Sequence, residues 1–126
     1  EDDIIIHTRH LEILIDNLSI NYLNNSNNRN IIVKGSLGNY CGNQMKGGKI
    51  HIYGSVGNSL GKSMANGIIR INGEADVFDL GCGMKGGEIF IEGKYFRLPV
   101  SATGGNIYRN SKLVMENGKK IWRKRE

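Results

Sequence analysis

The chain reads GSLGNYCGNQMKGGKIHIY at residues 35–53, GSVGNSLGKSMANGIIRIN at residues 54–72 and GEADVFDLGCGMKGGEIFIE at residues 73–92. The three segments are copies of one pattern that repeats after 19 residues, and the third copy is one residue longer. Self-similarity at a short fixed period is typical of solenoid proteins, in which each repeat stacks on the one before it. The chain has 126 residues, which is the size of one ordinary domain.

Each copy ends in a short segment in which isoleucine alternates with another residue type. Alternation with a period of two predicts a β-strand with one buried face. A strand of this length buries little by itself, so the strands of successive copies must stack at the sheet spacing of about 4.8 Å. We predict a mainly β fold, a right-handed parallel β-helix with about 19 residues per coil, where a coil is one turn of the solenoid.

Residues at equivalent positions of the copies are expected to form columns along the solenoid axis. One outward column is His51, Arg70 and Phe90, which predicts a face that is exposed or covered by a partner. The inward columns are Ile50/Ile69/Ile89 and Ile52/Ile71/Ile91, preceded by Ile31 and Val33 in a leading coil, and Leu37/Val56/Ala75, Cys41/Leu60/Leu80 and Met45/Met64/Met84.

Glycine is concentrated in the repeat, with 15 of the 18 glycines between Gly35 and Gly93. A coil must turn sharply several times, and positive φ is accessible to glycine and tolerated by asparagine. We therefore expect corners of the coils at the glycines and also at Asn39, Asn58 and Asn66.

The flanks of the repeat are predicted to close the two ends of the solenoid. Residues 1–30 would be an N-terminal cap that contains an amphipathic helix at about residues 9–23. Residues 31–93 are the β-helix repeats, and residues 94–126 form a basic C-terminal cap. Within this cap, residues 94–112 are interpreted as irregular, and Leu113–Glu116 and Lys119–Trp122 flank Asn117-Gly118, a strong hairpin signal.

Two phosphate-binding motifs are imitated by the repeat. Residues 81–86 match GxGxxG, but a dinucleotide fingerprint opens a helix, whereas this run leads into a strand. Residues 57–63 resemble a P-loop with one residue too few between the glycines. Both runs are interpreted as corners of coils.

No other residue pattern indicates catalysis or metal binding. The two cysteines are Cys41, predicted inward, and Cys82, two coils away and about 9.5 Å distant by sheet spacing, too far for a disulfide. Reduced thiols and the absence of an apolar stretch long enough for a membrane span favour a cytoplasmic protein. The histidines His7 and His10 and the pair Asp76 and Asp79 lack suitable companions, so we propose no catalytic residues.

The excess positive charge is confined to the end of the chain. Residues 94–126 carry nine Lys or Arg against two Asp or Glu, a net charge of +7. Such a run suits a polyanion or an acidic partner, and a solvated tail is the alternative explanation. The candidate contacts are Lys119, Lys120, Arg123, Lys124 and Arg125.

The repeat GxxGxxxGxxMxGGxIxIxG resembles the GXGXG domain, which is shared by the β-helical subunit of formylmethanofuran dehydrogenase and the C-terminal domain of the glutamate synthase large subunit. Met45-Lys46-Gly47-Gly48 and Met84-Lys85-Gly86-Gly87 are more similar to the dehydrogenase form of the domain. The resemblance covers residues 35–93, nearly half of the chain.

The resemblance implies a non-catalytic subunit or scaffold of a multi-subunit oxidoreductase that reduces CO2 onto methanofuran, the first step of methanogenesis. Tungsten or molybdenum pterin and iron–sulfur clusters would then be held by other subunits, and this chain would bind no cofactor. One alternative is a stand-alone GXGXG domain of glutamate synthase type. Another is a polyanion-binding module without an enzyme role, and the ends of the solenoid offer surfaces for self-association.

Overall fold

The structure, a computed structural model, describes residues 3–16, 18, 30–73, 80–92, 98 and 101–121. The described residues form one eight-stranded sheet, in which neighbouring strands are also consecutive in the sequence. The strands are β1 (Ile4–His7), β2 (Asn30–Lys34), β3 (Lys46–Ile52), β4 (Asn66–Ile71), β5 (Lys85–Ile91), β6 (Gly104–Arg109), β7 (Lys112–Glu116) and β8 (Lys119–Lys120).

Strands β1 to β6 pair in parallel, and each strand lies one coil after its neighbour. The register aligns Ile31, Ile50, Ile69, Ile89 and Ile107 in one row, so the successive spacings are 19, 19, 20 and 18 residues. Parallel strands joined by a full turn of chain define a parallel β-helix. The predicted fold class and the coil length are confirmed.

The core fills the inside of the coils, and every described member of the predicted inward columns is buried. Burial of a leucine, isoleucine or methionine side chain contributes roughly 1.5–3 kcal/mol, so columns repeated in each coil supply most of the stability. Ala75 lies outside the described residues. The buried apolar residues are Ile31, Val33, Leu37, Cys41, Met45, Ile50, Ile52, Val56, Leu60, Met64, Ile69, Ile71, Leu80, Met84, Ile89, Ile91, Ile107 and Met115.

The corners of the coils do not use asparagine in the way the sequence suggests. The prediction of corners with positive φ at Asn39, Asn58 and Asn66 is wrong, because the left-handed conformation falls one residue later. The residues with positive φ at these places are Tyr40 at 63°, Ser59 at 61° and Gly67 at 101°.

Two of these asparagines instead connect one coil to the next. The backbone N–H of Asn58 donates to Oδ1 of Asn39 at 2.8 Å, and the N–H of Asn39 donates to Oδ1 of Asp16 at 2.7 Å. We call Asp16, Asn39 and Asn58 the side-chain ladder. Since each oxygen satisfies a backbone donor that faces along the axis, the ladder holds the corners of three coils in register.

The predicted helix at residues 9–23 is wrong over its described part, because residues 9–16 and 18 form turns, bends and irregular chain. The remaining residues, 17 and 19–23, lie outside the described part of the chain. The apolar spacing that suggested a helix does not mark a buried face, since Leu14 is 47% exposed and Ile15 39% exposed.

The described residues of this segment bond to the next coil in the same way as successive coils bond to each other. The N–H of Gly38 donates to the carbonyl of Ile15 at 2.8 Å, and the N–H of Gly42 donates to the carbonyl of Leu18 at 2.8 Å. The same pattern recurs one coil later, where Gly57 donates to the carbonyl of Gly38. The carbonyls of residues 15 and 18 therefore accept from the next coil, as the carbonyl of Gly38 does from Gly57.

The C-terminal region adds one more coil before the hairpin. Interpretation of residues 94–112 as irregular is wrong for β6, which pairs in parallel with β5 through Ile107 opposite Ile89. The predicted hairpin is confirmed as β7 and β8 around Asn117 and Gly118, with φ values of 52° and 80°. Trp122 lies outside the described residues.

Candidate functional site

The outer sheet face, formed by the outward side chains of β2 to β6, carries a continuous central column. The register places Ile32, His51, Arg70, Phe90 and Tyr108 side by side on consecutive strands. These side chains are half-buried or exposed, whereas their neighbours along β2 to β5 are buried. The predicted outward position of His51, Arg70 and Phe90 is confirmed, and Ile32 and Tyr108 extend their column.

Stacking fixes three members of this column. The rings of Phe90 and Tyr108 have centroids 4.4 Å apart and an interplanar angle of 7°. The guanidinium carbon of Arg70 lies 4.5 Å from the Phe90 centroid, from the side of the preceding strand. Such contacts stabilise the observed rotamers, so this part of the face presents a preset arrangement of side chains.

A second set of contacts fixes the face near the ends of β2 and β3. The rings of His51 and Tyr53 stack with centroids 4.4 Å apart, and Nζ of Lys34 lies 4.3 Å from the Tyr53 centroid. Nε2 of His51 is 3.1 Å from Oδ1 of Asn72 on the next coil. The imidazole is therefore held in place by contacts on the same coil and on the next one.

The carboxylate of Glu88 is engaged within the face. The hydroxyl of Tyr108 donates to Oε2 of Glu88 at 3.2 Å. Partial burial, followed by the hydrogen bond and the negative charge of Glu88, raises the pKa of Tyr108 above its usual value. The phenol therefore stays protonated at neutral pH and occupies an oxygen of the carboxylate.

A shallow groove of about 330 Å³ opens on the first coils of this face. We call it the basic groove. Its polar lining consists of Asn30, Lys49, His51 and Arg70, and no carboxylate is among the described residues that line it. Apolar atoms from Ile31, Ile32, Ile50, Ile68 and Phe90 complete the lining.

A larger depression of about 800 Å³ continues from the basic groove along the starts of the strands. We call it the glycine trough, because its floor is the column Gly48, Gly67, Gly87 and Gly105, all with positive φ. Asn30, Lys49 and Ile68 line both depressions, which makes them one continuous surface.

The glycines of the trough are required by the core beneath them. A Cβ at Gly67 would lie 2.9 Å from Cε of Met45, and one at Gly87 would lie 2.8 Å from Cε of Met64. These separations are shorter than packed carbon atoms tolerate. The trough is therefore a consequence of packing the methionine column, and its width does not by itself indicate a ligand.

The structure places the two described members of the predicted anion contacts, Lys119 and Lys120, away from the basic groove. Lys119 and Lys120 are exposed on β8. Strands β6 and β7 lie between β8 and β5, which is the last strand that lines the groove. In the hairpin, Lys119 is opposite Glu116. Arg123, Lys124 and Arg125 lie outside the described residues.

The motifs that imitate phosphate loops are corners of coils, as predicted. Residues 80–83 form a turn that leads directly into β5, and residues 57–63 are bends and turns between β3 and β4. Within the described ranges, no three His, Cys, Asp or Glu residues are grouped as metal ligands would be. Asp76 and Asp79 are not among the described residues.

The two cysteines are free, as predicted. Sγ of Cys82 lies 3.2 Å from Oγ of Ser101 on the next coil. Cys41 is buried in the core, and desolvation raises the pKa of its thiol from 9.0 to about 12. The thiol of Cys41 therefore remains protonated and packs as a small apolar side chain.

This pKa shift predicts a loss of stability in alkaline solution. Above pH 9 the thiol of Cys41 ionises in the unfolded chain, while the folded protein keeps the proton until about pH 12, so the free energy of unfolding falls as pH rises. Substitution of Cys41 by alanine should cost less stability at pH 10 than at pH 8, by about 1 kcal/mol. Urea denaturation of both proteins at the two pH values, with a reductant present, measures the difference, and an equal cost at both would contradict it.

Comparison with known protein families, with curated proteins and with solved structures finds no match. In the part of the chain that the structure describes, there is no helix with the length and hydropathy of a membrane span.

Sequence reasoning identified the central column of the site but not the groove beside it. Lys49 and Ile68 occupy an outward column two residues before His51 and Arg70. In the aligned copies Lys49 shares a column with Ile68 and is diagonal to Arg70. The repeat therefore contains the pattern that forms the basic groove.

Proposed function

We propose that the protein is a non-catalytic β-helical scaffold that binds another protein subunit through its outer sheet face. The observation that supports this most is the preset column Arg70, Phe90 and Tyr108, with rings and guanidinium stacked at 4.4 and 4.5 Å. Side chains already held in one rotamer lose little conformational entropy on binding, and aromatic residues and arginine are the types that dominate protein interfaces.

The solenoid also suits a scaffold mechanically. Its buried columns run through consecutive coils, and hydrogen bonds such as Gly57 to Gly38 and Gly61 to Cys41 join each coil to the next. A partner that contacts several coils meets positions whose spacing is set by the sheet, about 4.8 Å per coil.

The identity of the assembly is proposed from the residue pattern of the repeat. Its resemblance to the β-helical subunit of formylmethanofuran dehydrogenase supports a place in a multi-subunit oxidoreductase that reduces CO2 onto methanofuran in methanogenesis. Pterin-bound tungsten or molybdenum and the iron–sulfur clusters would be held by the other subunits. Free thiols at Cys41 and Cys82 agree with a reducing compartment, so the proposal places the complex in the cytoplasm.

Purification of the tagged chain from its native cells under low salt tests this proposal. Recovery of chains with the pterin metal supports the dehydrogenase assembly, whereas recovery of flavin-containing synthase chains supports the glutamate synthase alternative. Substitution of Phe90 by alanine should reduce the recovery of either set, because it removes the centre of the stacked column. Tyr40→Ala is the control, because Tyr40 is an exposed aromatic residue outside the stacked column. Recovery of the wild-type chain without other subunits would contradict the proposal.

A polyanion-binding module is the second candidate, supported by the exposed lysines Lys119 and Lys120 on the terminal strand. It predicts that nucleic acid co-purifies with the chain and that, after nuclease treatment, the chain is recovered without a bound partner. Substitution of both lysines by glutamine would then weaken binding more at low salt than at high salt.

A further inference from the structure

The basic groove combines cations with an apolar floor. Lys49 is opposite Ile68 in the sheet register, and Arg70 is two residues beyond Ile68 on the same strand. Strand spacing and rise place the Cα atoms of Lys49 and Arg70 about 8 Å apart. Of the described residues that line the groove, none carries a negative charge. The groove therefore offers two positive charges. The nearest carboxylate is that of Glu88, which is opposite Ile68 on β5 and accepts a hydrogen bond from the hydroxyl of Tyr108.

Arg70 is already positioned for a planar anion. Its guanidinium lies over the Phe90 ring with 4.5 Å between its carbon and the centroid, while the residue as a whole is exposed. A guanidinium stacked on a ring keeps its N–H donors at its edges, where they match the two oxygens of a carboxylate. Less side-chain entropy is lost when such a fork binds than when a free arginine does.

Aromatic stacking with a nucleobase is disfavoured at this groove. One face of Phe90 is covered by Arg70 and the other by Tyr108. Proteins that bind single-stranded nucleic acid rely on open ring faces on which the bases stack. The apolar remainder of the floor, Ile32 and Ile68, instead suits small aliphatic side chains.

We infer that the basic groove binds an extended acidic segment of the partner protein, with carboxylates at Lys49 and Arg70 and apolar side chains over Ile68. This inference rests on the proposed function, for which it names the chemistry of the partner at the outer sheet face. The glycine trough continues the groove past Lys49 to Lys85, so a segment that passes through the groove meets a further cation. Glu88 also lines the trough, and the hydroxyl of Tyr108 donates to its Oε2.

The test uses the full chain and a fluorescein-labelled peptide of about twelve residues with the repeat Glu-Glu-Ala-Ala, so that glutamate and alanine alternate along each face of the extended chain. The peptide is longer than the roughly 19 Å that strands β2 to β6 span. The same peptide with glutamine in place of glutamate is the neutral probe. Binding is measured by fluorescence anisotropy at about 0.05 M and about 0.2 M salt, because exposed charge pairs are screened over this range. The variants are the double substitution of Lys49 and Arg70 by glutamine, and Arg70→Lys.

A control pair removes the same charges elsewhere. Arg9→Gln with Lys112→Gln deletes one arginine and one lysine that are exposed and do not line the groove. We expect the groove double variant to weaken binding of the acidic peptide at least about tenfold and Arg70→Lys to weaken it about threefold, because lysine keeps the charge without the fork. The control pair should stay within about twofold, and the glutamine peptide should bind weakly to every protein.

Three results would overturn the inference. They are equal losses in the groove variant and the control pair, binding of the glutamine peptide as strong as that of the acidic one, and stronger competition by a single-stranded oligonucleotide than by the unlabelled acidic peptide. If the acidic peptide does not bind but other subunits still co-purify with the chain, the scaffold function stands and only the acidic segment is removed. Groove-dependent peptide binding without co-purified subunits removes the scaffold function instead. Urea denaturation of each variant verifies that it is folded.

Discussion

Replacing Ile69 with alanine is expected to lower the free energy of unfolding by about 4 kcal/mol, whereas the same substitution at the adjacent Ile68 lowers it by about 1 kcal/mol. Ile69 is fully buried in the row between Ile50 and Ile89, and Ile68 is half-buried on the outer sheet face. Removing three carbons from the buried side chain leaves a cavity that neighbouring coils cannot close without shifting the strand rows.

The pair is a matched comparison, because one residue type is truncated at consecutive positions of one strand. Urea denaturation monitored by circular dichroism gives both values, and a low temperature keeps the Ile69 variant folded, since about 4 kcal/mol is a large part of a typical domain's stability. The register would be shifted by one residue if the Ile68 variant were the less stable of the two. Equal losses would indicate that neither face is preferentially buried.

The second large effect is expected at Gly54, where alanine should cost about 3 kcal/mol. A Cβ at this position would collide with the carbonyl oxygen of Gly35 on the preceding coil. The backbone N–H of Gly54 donates to that same oxygen at 2.8 Å, so relief of the collision also weakens a hydrogen bond between coils. The added Cβ would also approach Oγ of Ser36, which can move by a change of rotamer, but the carbonyl of Gly35 belongs to the backbone and cannot.

Gly83→Ala is the control for this substitution. Gly83 has a φ of 70°, but the nearest atom to its added Cβ is Oγ of Ser63 at 3.3 Å, so alanine there should cost only about 1 kcal/mol of backbone strain. Thermal and urea unfolding of the two variants rank the costs. A larger loss at Gly83 than at Gly54 would show that the left-handed conformation, rather than the approach of the coils, makes the glycines necessary.

The buried columns could be predicted from the repeat because stacking gives equivalent positions of successive coils the same environment. An isoleucine at position 50 must lie above the one at position 69 if the strands share a register, and both are buried. The helix at residues 9–23 failed for a complementary reason. Leucine and isoleucine spacing in that segment fits a helix, but Gly38 and Gly42 present N–H groups that need acceptors, and the carbonyls of Ile15 and Leu18 supply them. Helix propensity is weak against such a requirement.

The additional strand at residues 104–109 was present in the sequence in a degenerate form. Gly104-Gly105-Asn106-Ile107-Tyr108 repeats the order Gly86-Gly87-Glu88-Ile89-Phe90, but methionine is absent before it and the spacing falls to 18 residues. The outward column of the candidate site followed from the same alternation as the core. The side-chain ladder through Asn39 and Asn58 did not follow from the alternation. The hydrogen-bond partner of a side-chain oxygen at a corner depends on the direction of a neighbouring N–H.

The direction of the bonds in the side-chain ladder has a mechanical consequence. The N–H groups of Asn39 and Asn58 donate along the solenoid axis, as do those of Gly38 and Gly57, so adjoining coils are joined mainly by bonds parallel to that axis. Tension applied between the two ends of the axis loads these junctions in series, and one coil can peel away while the others stay intact. Tension applied along the strands, perpendicular to the axis, shears many of these bonds at once. The junctions between coils therefore resist a force along the strands better than a force along the axis.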